Sequence, residues 1–217
     1  MLRFLILLFG TAAMIPIMLI FNRFYRVPFL KLLICTVMLT ITGLIGGAIM
    51  YFIENSNFGG FSFYGAIFLA PLQMYFIAKL INASPSAIVD LCAPVGCIML
   101  AVQKTNCLRV GCCQGKIIAQ SIAGQPIRFP SQIIECAAAL LISLFLYLLV
   151  SSEKFKGKIL FFFLIFYGII RFFLNLMRDT TPALFGLAVG NIWSIVSVIV
   201  GIVGLTILRF NGNHTKE

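Results

Sequence analysis

Four short stretches of this chain hold the residue types that do chemistry. Tyr167-Gly-Ile-Ile-Arg171-Phe-Phe-Leu-Asn175-Leu-Met-Arg178 is the first. At about 100° per residue, Tyr167, Arg171, Asn175 and Arg178 fall within roughly 80° of one another, one polar stripe on an otherwise apolar helix. A charge facing lipid is costly, so this stripe must face protein or water. Arg178 also has an interfacial reading, because Asp179 follows it.

The second stretch is Arg128-Phe-Pro-Ser-Gln132-Ile-Ile-Glu135. Pro130 can open a helix in its first turn and Ser131 can help cap it. Gln132 and Glu135 then share a face near the helix N-terminus, where free N–H groups and the dipole favour an anion. A plainer reading has Glu135 neutralising Arg128 or Arg171, and the two are compatible.

The third stretch, Lys104 through Lys116, mixes cations with Gly111 and Gly115. It reads as a loop that brings backbone N–H groups near an oxyanion. Cys107, Cys112 and Cys113 lie in it. Zinc sites usually space their ligands C-x2-4-C and need a second pair. Here the spacing is C-x4-C-C and the single histidine, His214, is in the tail, so no metal is assigned. The thiols read as small packing groups, with a disulfide inside the loop, or from Cys107 to Cys92 or Cys97, as the alternative. The fourth stretch, Gly59-Gly60-Phe-Ser62-Phe-Tyr64-Gly65, is a tight chain re-entry carrying two hydroxyls.

The sign of the ligand follows from counting. Lys104, Arg109, Arg128 and Arg171, with Lys116 and Arg178, outnumber Glu135 and Asp90. Buried charge must be balanced, so an anion is expected. Within a membrane the abundant anion is a phospholipid head, and the planar fork of arginine suits phosphate.

The elements that position these groups are membrane helices. Of 217 residues 61% are hydrophobic and 10% charged, against roughly 25% charged in a soluble domain. Runs of about 20 apolar residues recur as a bilayer demands: Phe4 to Phe21, Leu32 to Ile53, Phe61 to Ile81, Ala87 to Val102, Gln132 to Val150, Ile159 to Met177 and Leu184 to Arg209. Residues 103 to 131 form the longest non-apolar stretch. The expected fold is all-α, a single polytopic domain over residues 1–217 built as a bundle of about seven transmembrane helices.

The net charge of +10 comes from 16 Lys+Arg against 6 Asp+Glu. No basic, aromatic-interleaved soluble surface accompanies it, so nucleic acid is not an expected partner. Arg23, Arg26, Lys31, Lys79, Lys154, Lys156, Lys158, Arg209 and Lys216 fall on one side, nine of the 16 cations. By the positive-inside rule that side is cytoplasmic, with the N-terminus outside and the C-terminus cytoplasmic.

On these stretches the chain resembles the prolipoprotein diacylglyceryl transferases, bacterial membrane enzymes that lipidate lipoprotein precursors. Gly46-Gly47 through Tyr51 looks like their glycine-rich second helix ending in Tyr. Gly59 to Gly65 is similar to their Gly-Gly-x-Ser-Phe-His-Gly, and Asp90 to Pro94 to Asp-x-x-Ala-Pro. Lys104 to Gly115 is similar to their Gly-Arg loop in its cysteine-rich form. Arg128 to Glu135 matches Arg-x-Pro-Ser-Gln-x-x-Glu without a gap. Tyr167 to Arg171 matches Tyr-Gly-x-x-Arg, and Gly190-Asn191 looks like a Gly-Gln element. The ordered matches span about residues 40 to 195. The chain departs from the pattern at Tyr64 for histidine, Lys104 for arginine and Asn175 for an acid, and it nearly lacks the insert before Arg128.

The resemblance implies seven helices in the bacterial cytoplasmic (inner) membrane and no cofactor. Its reaction moves diacylglyceryl from phosphatidylglycerol to the thiol of a lipobox cysteine in a prolipoprotein signal peptide. It implies Arg171, Glu135, Tyr64 and Lys104 as catalytic residues. Arg128, Gln132, Tyr167, Asn106, Gly115 and Tyr51 would bind substrate. Arg171 and Arg128 would hold phosphate with help from Lys104, Glu135 would act as base or orienter, and Tyr64 and Tyr167 would position. The rivals are a transferase with another acceptor, a non-enzymatic binder or transporter of anionic lipid, and a membrane thiol oxidoreductase using the cysteines.

Overall fold

The computed structural model describes residues 2–57, 59–120, 125–179 and 186–214. Lys216 and the expected start of the last span at Leu184 lie outside the described residues. Seven α-helices follow in order: α1 (Leu2–Tyr25), α2 (Phe29–Asn55), α3 (Phe63–Leu80), α4 (Pro85–Val110), α5 (Ser131–Val150), α6 (Ile159–Leu176) and α7 (Val189–His214). Six of them, α2 to α7, are long and apolar enough to cross a membrane. At about 1.5 Å per residue, the 24 residues of α1 also reach across a hydrocarbon core of about 30 Å. Large apolar side chains such as Leu30, Phe76, Leu141, Phe173 and Ile199 are exposed on these helices, which a bilayer tolerates and water does not.

The all-α expectation holds, with two differences. The fourth helix does not stop near Val102 but runs to Val110. The stretch read as one long loop therefore starts eight residues later, and part of it is a hairpin: β1 (Ile117–Gln120) and β2 (Pro126–Arg128), antiparallel, with Ile117 opposite Arg128 and Gln120 opposite Pro126. The reason for the longer helix is chemical. Lys104 and Cys107 are polar or small residues that are nonetheless buried, so a hydropathy window ends before the helix does.

The described residues form two compact units. The first contains residues 1–99 and 143–160. In it α2 and α3 pack at backbone distance. A Cβ on Gly46 would stand 2.7 Å from the Gly65 carbonyl oxygen, and one on Gly65 would meet the Gly46 carbonyl. Small residues that admit such approach are the usual glue of membrane helices. Gly60 lies against the Tyr51 ring, and Ser62 donates to Glu54 at 2.9 Å. Asp90, only 2% exposed, accepts from the Tyr25 hydroxyl at 2.6 Å, from Ile159 N–H at 3.0 Å and from Gly157 N–H. It satisfies orphan donors at the start of α6. The Asp90-to-Pro94 motif thus has a structural task.

The second unit contains residues 100–142 and 161–217. Here α6 and α7 meet through Gly168, whose Cβ would stand 2.8 Å from the Ser194 carbonyl oxygen, and Gly201, 2.8 Å from that of Phe161. Ser197 donates to the Leu164 carbonyl at 2.9 Å. The chain after α4 is fastened to the end of α6 by backbone: Lys116 N–H to Met177 O at 2.9 Å, Asp179 N–H to Gln114 O at 3.3 Å, and a bridge of Gly115 with Arg178.

Candidate functional site

The second unit brings together Lys104 from α4, Glu135 from α5 and Arg171 from α6. Glu135 is 2% exposed, and its two oxygens serve two cations: Oε2 lies 3.0 Å from Lys104 Nζ and Oε1 meets Arg171 Nη1. The side chains of Lys104 and Arg171 are 6% and 11% exposed. Helix periodicity accounts for the arrangement. Glu135 sits one turn into α5, and Arg171 sits one turn after buried Tyr167, whose ring stacks on Phe163 at 5.5 Å between centroids. Arg178, at the end of the same stripe, is half-buried, and its Nε has no hydrogen-bond partner among the described residues.

A narrow gap of about 10 Å³, room for roughly one water molecule, lies beside Glu135 and Arg171. Glu135, Arg171 and Tyr167 line it together with Ala138, Ile170 and Leu174. One end is charged and the walls are apolar. Lys104, Arg171 and Arg178 oppose the single carboxylate of Glu135, so the local charge is positive and can take an anionic group. The carboxyl group is already shared between two cations, which favours it as an orienter of Arg171 and Lys104.

The remaining expected residues are placed as follows. Lys104 and Asn106 stand on α4, not on a glycine loop, and Asn106 is half-buried there. They offer side chains and no free N–H cradle, because backbone donors inside a helix are already used. Gln132 is buried and donates to the Cys112 carbonyl at 2.9 Å. Ser131 does not cap α5; its hydroxyl donates to the Cys113 carbonyl at 2.8 Å, and the Pro130 carbonyl accepts the helix's first bond from Ile134. Arg128 pairs with Asp179 at 3.4 Å and donates to Gly115 O at 3.3 Å. Asp179 therefore serves Arg128, and the expected neutralisation of Glu135 comes from Arg171 and Lys104. Gly115 is buried for a packing reason, since a Cβ there would press on Phe129. Tyr51 and Tyr64 belong to the first unit, Tyr64 buried and stacked on Phe68 at 6.2 Å.

All seven cysteines are free, and the alternative of a disulfide from Cys107 to Cys92 or Cys97 is not realised. Cys107, Cys112 and Cys113 instead bring their sulfur atoms within 4.8 Å of one another. Hydrogen bonding from Cys107 and the charges of Lys104 and Arg178 outweigh burial and bring the Cys113 thiol down to about 5. The sequence places these three thiols in one stretch, read as packing groups with a disulfide as the alternative; the spacing alone did not show how closely the turn gathers them. Gly111 directly after the helix was the available signal of a chain reversal.

Comparison with known proteins identifies the family. The model of the family described as prolipoprotein diacylglyceryl transferase matches residues 4–207. A phosphatidylglycerol–prolipoprotein diacylglyceryl transferase 2 of Clostridium perfringens is 28% identical over 210 residues, covering 86% of this chain and 80% of the relative. A phosphatidylglycerol–prolipoprotein diacylglyceryl transferase of Clostridium tetani is 25% identical, covering 78% of each. One of the same name from Ehrlichia ruminantium is 28% identical, covering 80% of this chain and 79% of its own.

Proposed function

Because this chain belongs to the prolipoprotein diacylglyceryl transferase family, we propose that its charged site moves diacylglyceryl from phosphatidylglycerol to a lipobox cysteine of a prolipoprotein signal peptide. The observation that carries the reading is the buried Lys104–Glu135–Arg171 triad, with apolar side chains such as Ala138, Ile170 and Leu174 beside Glu135 and Arg171. A phospholipid has this same division: an anionic head joined to apolar chains.

The reaction sets the tasks. The acceptor sulfur forms a bond to the glyceryl carbon that carries the phosphate. The carbon–oxygen bond to phosphate breaks, and glycerol phosphate departs with that electron pair. The thiol proton passes to water or to the departing phosphate before or during the attack, since a free thiol near pKa 8.5 is mostly protonated at neutral pH. Negative charge grows on the departing phosphate, and preorganised cations stabilise it. Arg171 and Lys104, held in place by Glu135, are positioned for this. Arg128 is looser and more exposed, and fits a part in admitting the headgroup. Tyr167 lines the gap beside Arg171. Gln132, Asn106 and Gly115 complete the proposed binding set in this unit, while Tyr64, as a catalytic positioning group, and Tyr51, as a substrate-binding group, are proposed in the first unit. The protein would work as one polytopic domain in the bacterial inner membrane, N-terminus outside, with this site toward the outer face.

The test is a transfer assay. Protein in phosphatidylglycerol vesicles receives a lipobox peptide, and intact mass reports a diacylglyceryl gain. Arg171→Ala is expected to lower the rate by about 10²–10³-fold, as loss of a charge-stabilising donor does, and Arg171→Lys to recover part of it. Glycerol phosphate released without peptide gain would assign a different acceptor. No gain and no release would replace transfer by lipid binding.

A further inference from the structure

Beside the triad lies a second constellation that the transfer chemistry does not use. At the end of α4, Gly111 N–H and Cys112 N–H both donate to the Cys107 carbonyl, at 2.9 and 3.1 Å. Gly111 takes φ +75° and turns the chain back over the helix. Cys113 then takes φ +59°, a left-handed conformation that costs a side-chain-bearing residue energy and is usually kept where it aims a functional group. The turn is also held from outside, through the bonds of Ser131 and Gln132 to the Cys113 and Cys112 carbonyls. The outcome is three thiols within 4.8 Å, one on the helix and two on the turn.

Two chemistries could use three close thiols. A disulfide would join two sulfurs, need an oxidant and leave the third unexplained. A soft metal ion uses all three. With a zinc–sulfur bond of about 2.3 Å, three thiolates on one tetrahedral ion stand roughly 3.8 Å apart. The observed group has to close by about 1 Å at most. The charges also suit an ion. A divalent metal with three thiolates carries one net negative charge, and Lys104 and Arg178 both act on Cys113 with positive charge. Cys112 is exposed, which gives the ion a way in.

We propose that Cys107, Cys112 and Cys113 form a three-thiolate site for a soft d10 divalent ion of the zinc class, which pins the turn onto the end of α4. The fourth position is left to water or another donor, since no histidine or carboxylate joins the cluster among the described residues. Binding replaces thiol protons by metal, and those protons pass to solvent. The proposal stands whether or not the triad transfers diacylglyceryl.

The experiment uses the full chain, purified in detergent under a reductant that does not bind metal, and titrated with cobalt(II). The expected result is one cobalt per chain with a thiolate-to-cobalt charge-transfer band, displaced by zinc. Cys113→Ser and Cys112→Ser should each weaken binding by more than the about 10- to 100-fold typical of losing a supporting contact around a metal. Cys136→Ser, on α5 outside the cluster, should leave it unchanged. Exposed Cys112 makes Cys112→Ser a variant that keeps its fold, checked by helical circular dichroism. No charge-transfer band in the reduced chain, or a band indifferent to both serine variants, overturns the site. Cobalt binding without any transfer activity would sustain the metal site and remove the transfer reading.

Discussion

Glu135 is the residue on which most depends. It is nearly inaccessible and joins two cations from two other helices. Removing one member of such a buried pair leaves uncompensated charge and costs about 3–5 kcal/mol. Glu135→Gln is therefore expected to lower the melting temperature clearly in detergent, and transfer to fall with it. Arg128 is expected to behave in the opposite way. Its ion pair with Asp179 is partly exposed, with side chains 34% and 70% accessible, and such pairs contribute about 1 kcal/mol or less. Arg128→Ala should leave the melting temperature within a degree or two and raise the phosphatidylglycerol concentration needed for half-maximal transfer. An unchanged concentration dependence would exclude Arg128 from headgroup binding. The sequence made Arg171 and Glu135 legible because a charge in an apolar run must face inward. It did not reveal who pairs with whom: Asp179 adjoins Arg178 in sequence but pairs with Arg128 on β2.

At the scale of elements, the close approach of α2 and α3 makes a sharp contrast between glycines. A Cβ at Gly65 would collide with the backbone of Gly46, whereas one at Gly43 would meet Ala66 at an ordinary 3.9 Å. Gly65→Ala is expected to destabilise by about 1–3 kcal/mol, the usual cost of overpacking, and Gly43→Ala to be close to neutral. Thermal unfolding of both variants checks the difference. Asp90 makes a similar case. As the acceptor for Gly157 and Ile159 N–H groups it acts as a cap, and Asp90→Ala should cost at least the ~1 kcal/mol of a lost cap without altering the triad. Element positions were readable from hydropathy to within a few residues, except where polar groups sit inside a helix. Lys104, Asn106 and Arg109 ended the apolar window, so the last turns of α4 passed for loop. Gly111 marked the true end. The hairpin was hidden because Ile117–Gln120 and Pro126–Arg128 are short and carry no strong alternation.

For the whole molecule, the proposed orientation, with the N-terminus outside, predicts a cytoplasmic C-terminus. A fluorescent reporter that matures only in the cytoplasm, fused after Glu217, is expected to light up; a dark fusion with an active periplasmic reporter would reverse the orientation. The backbone seam between residues 114–116 and 177–179 has a further consequence. Peptide groups bond to one another whatever side chains they carry, so Gln114, Lys116 and Met177 can drift in evolution without undoing the seam. A single inserted or deleted residue on either side cannot be absorbed in this way, because it moves every later partner out of step. Over generations this strip should therefore hold its length closely and vary in its letters, except at Gly115, where a Cβ would press on Phe129, and at Arg178.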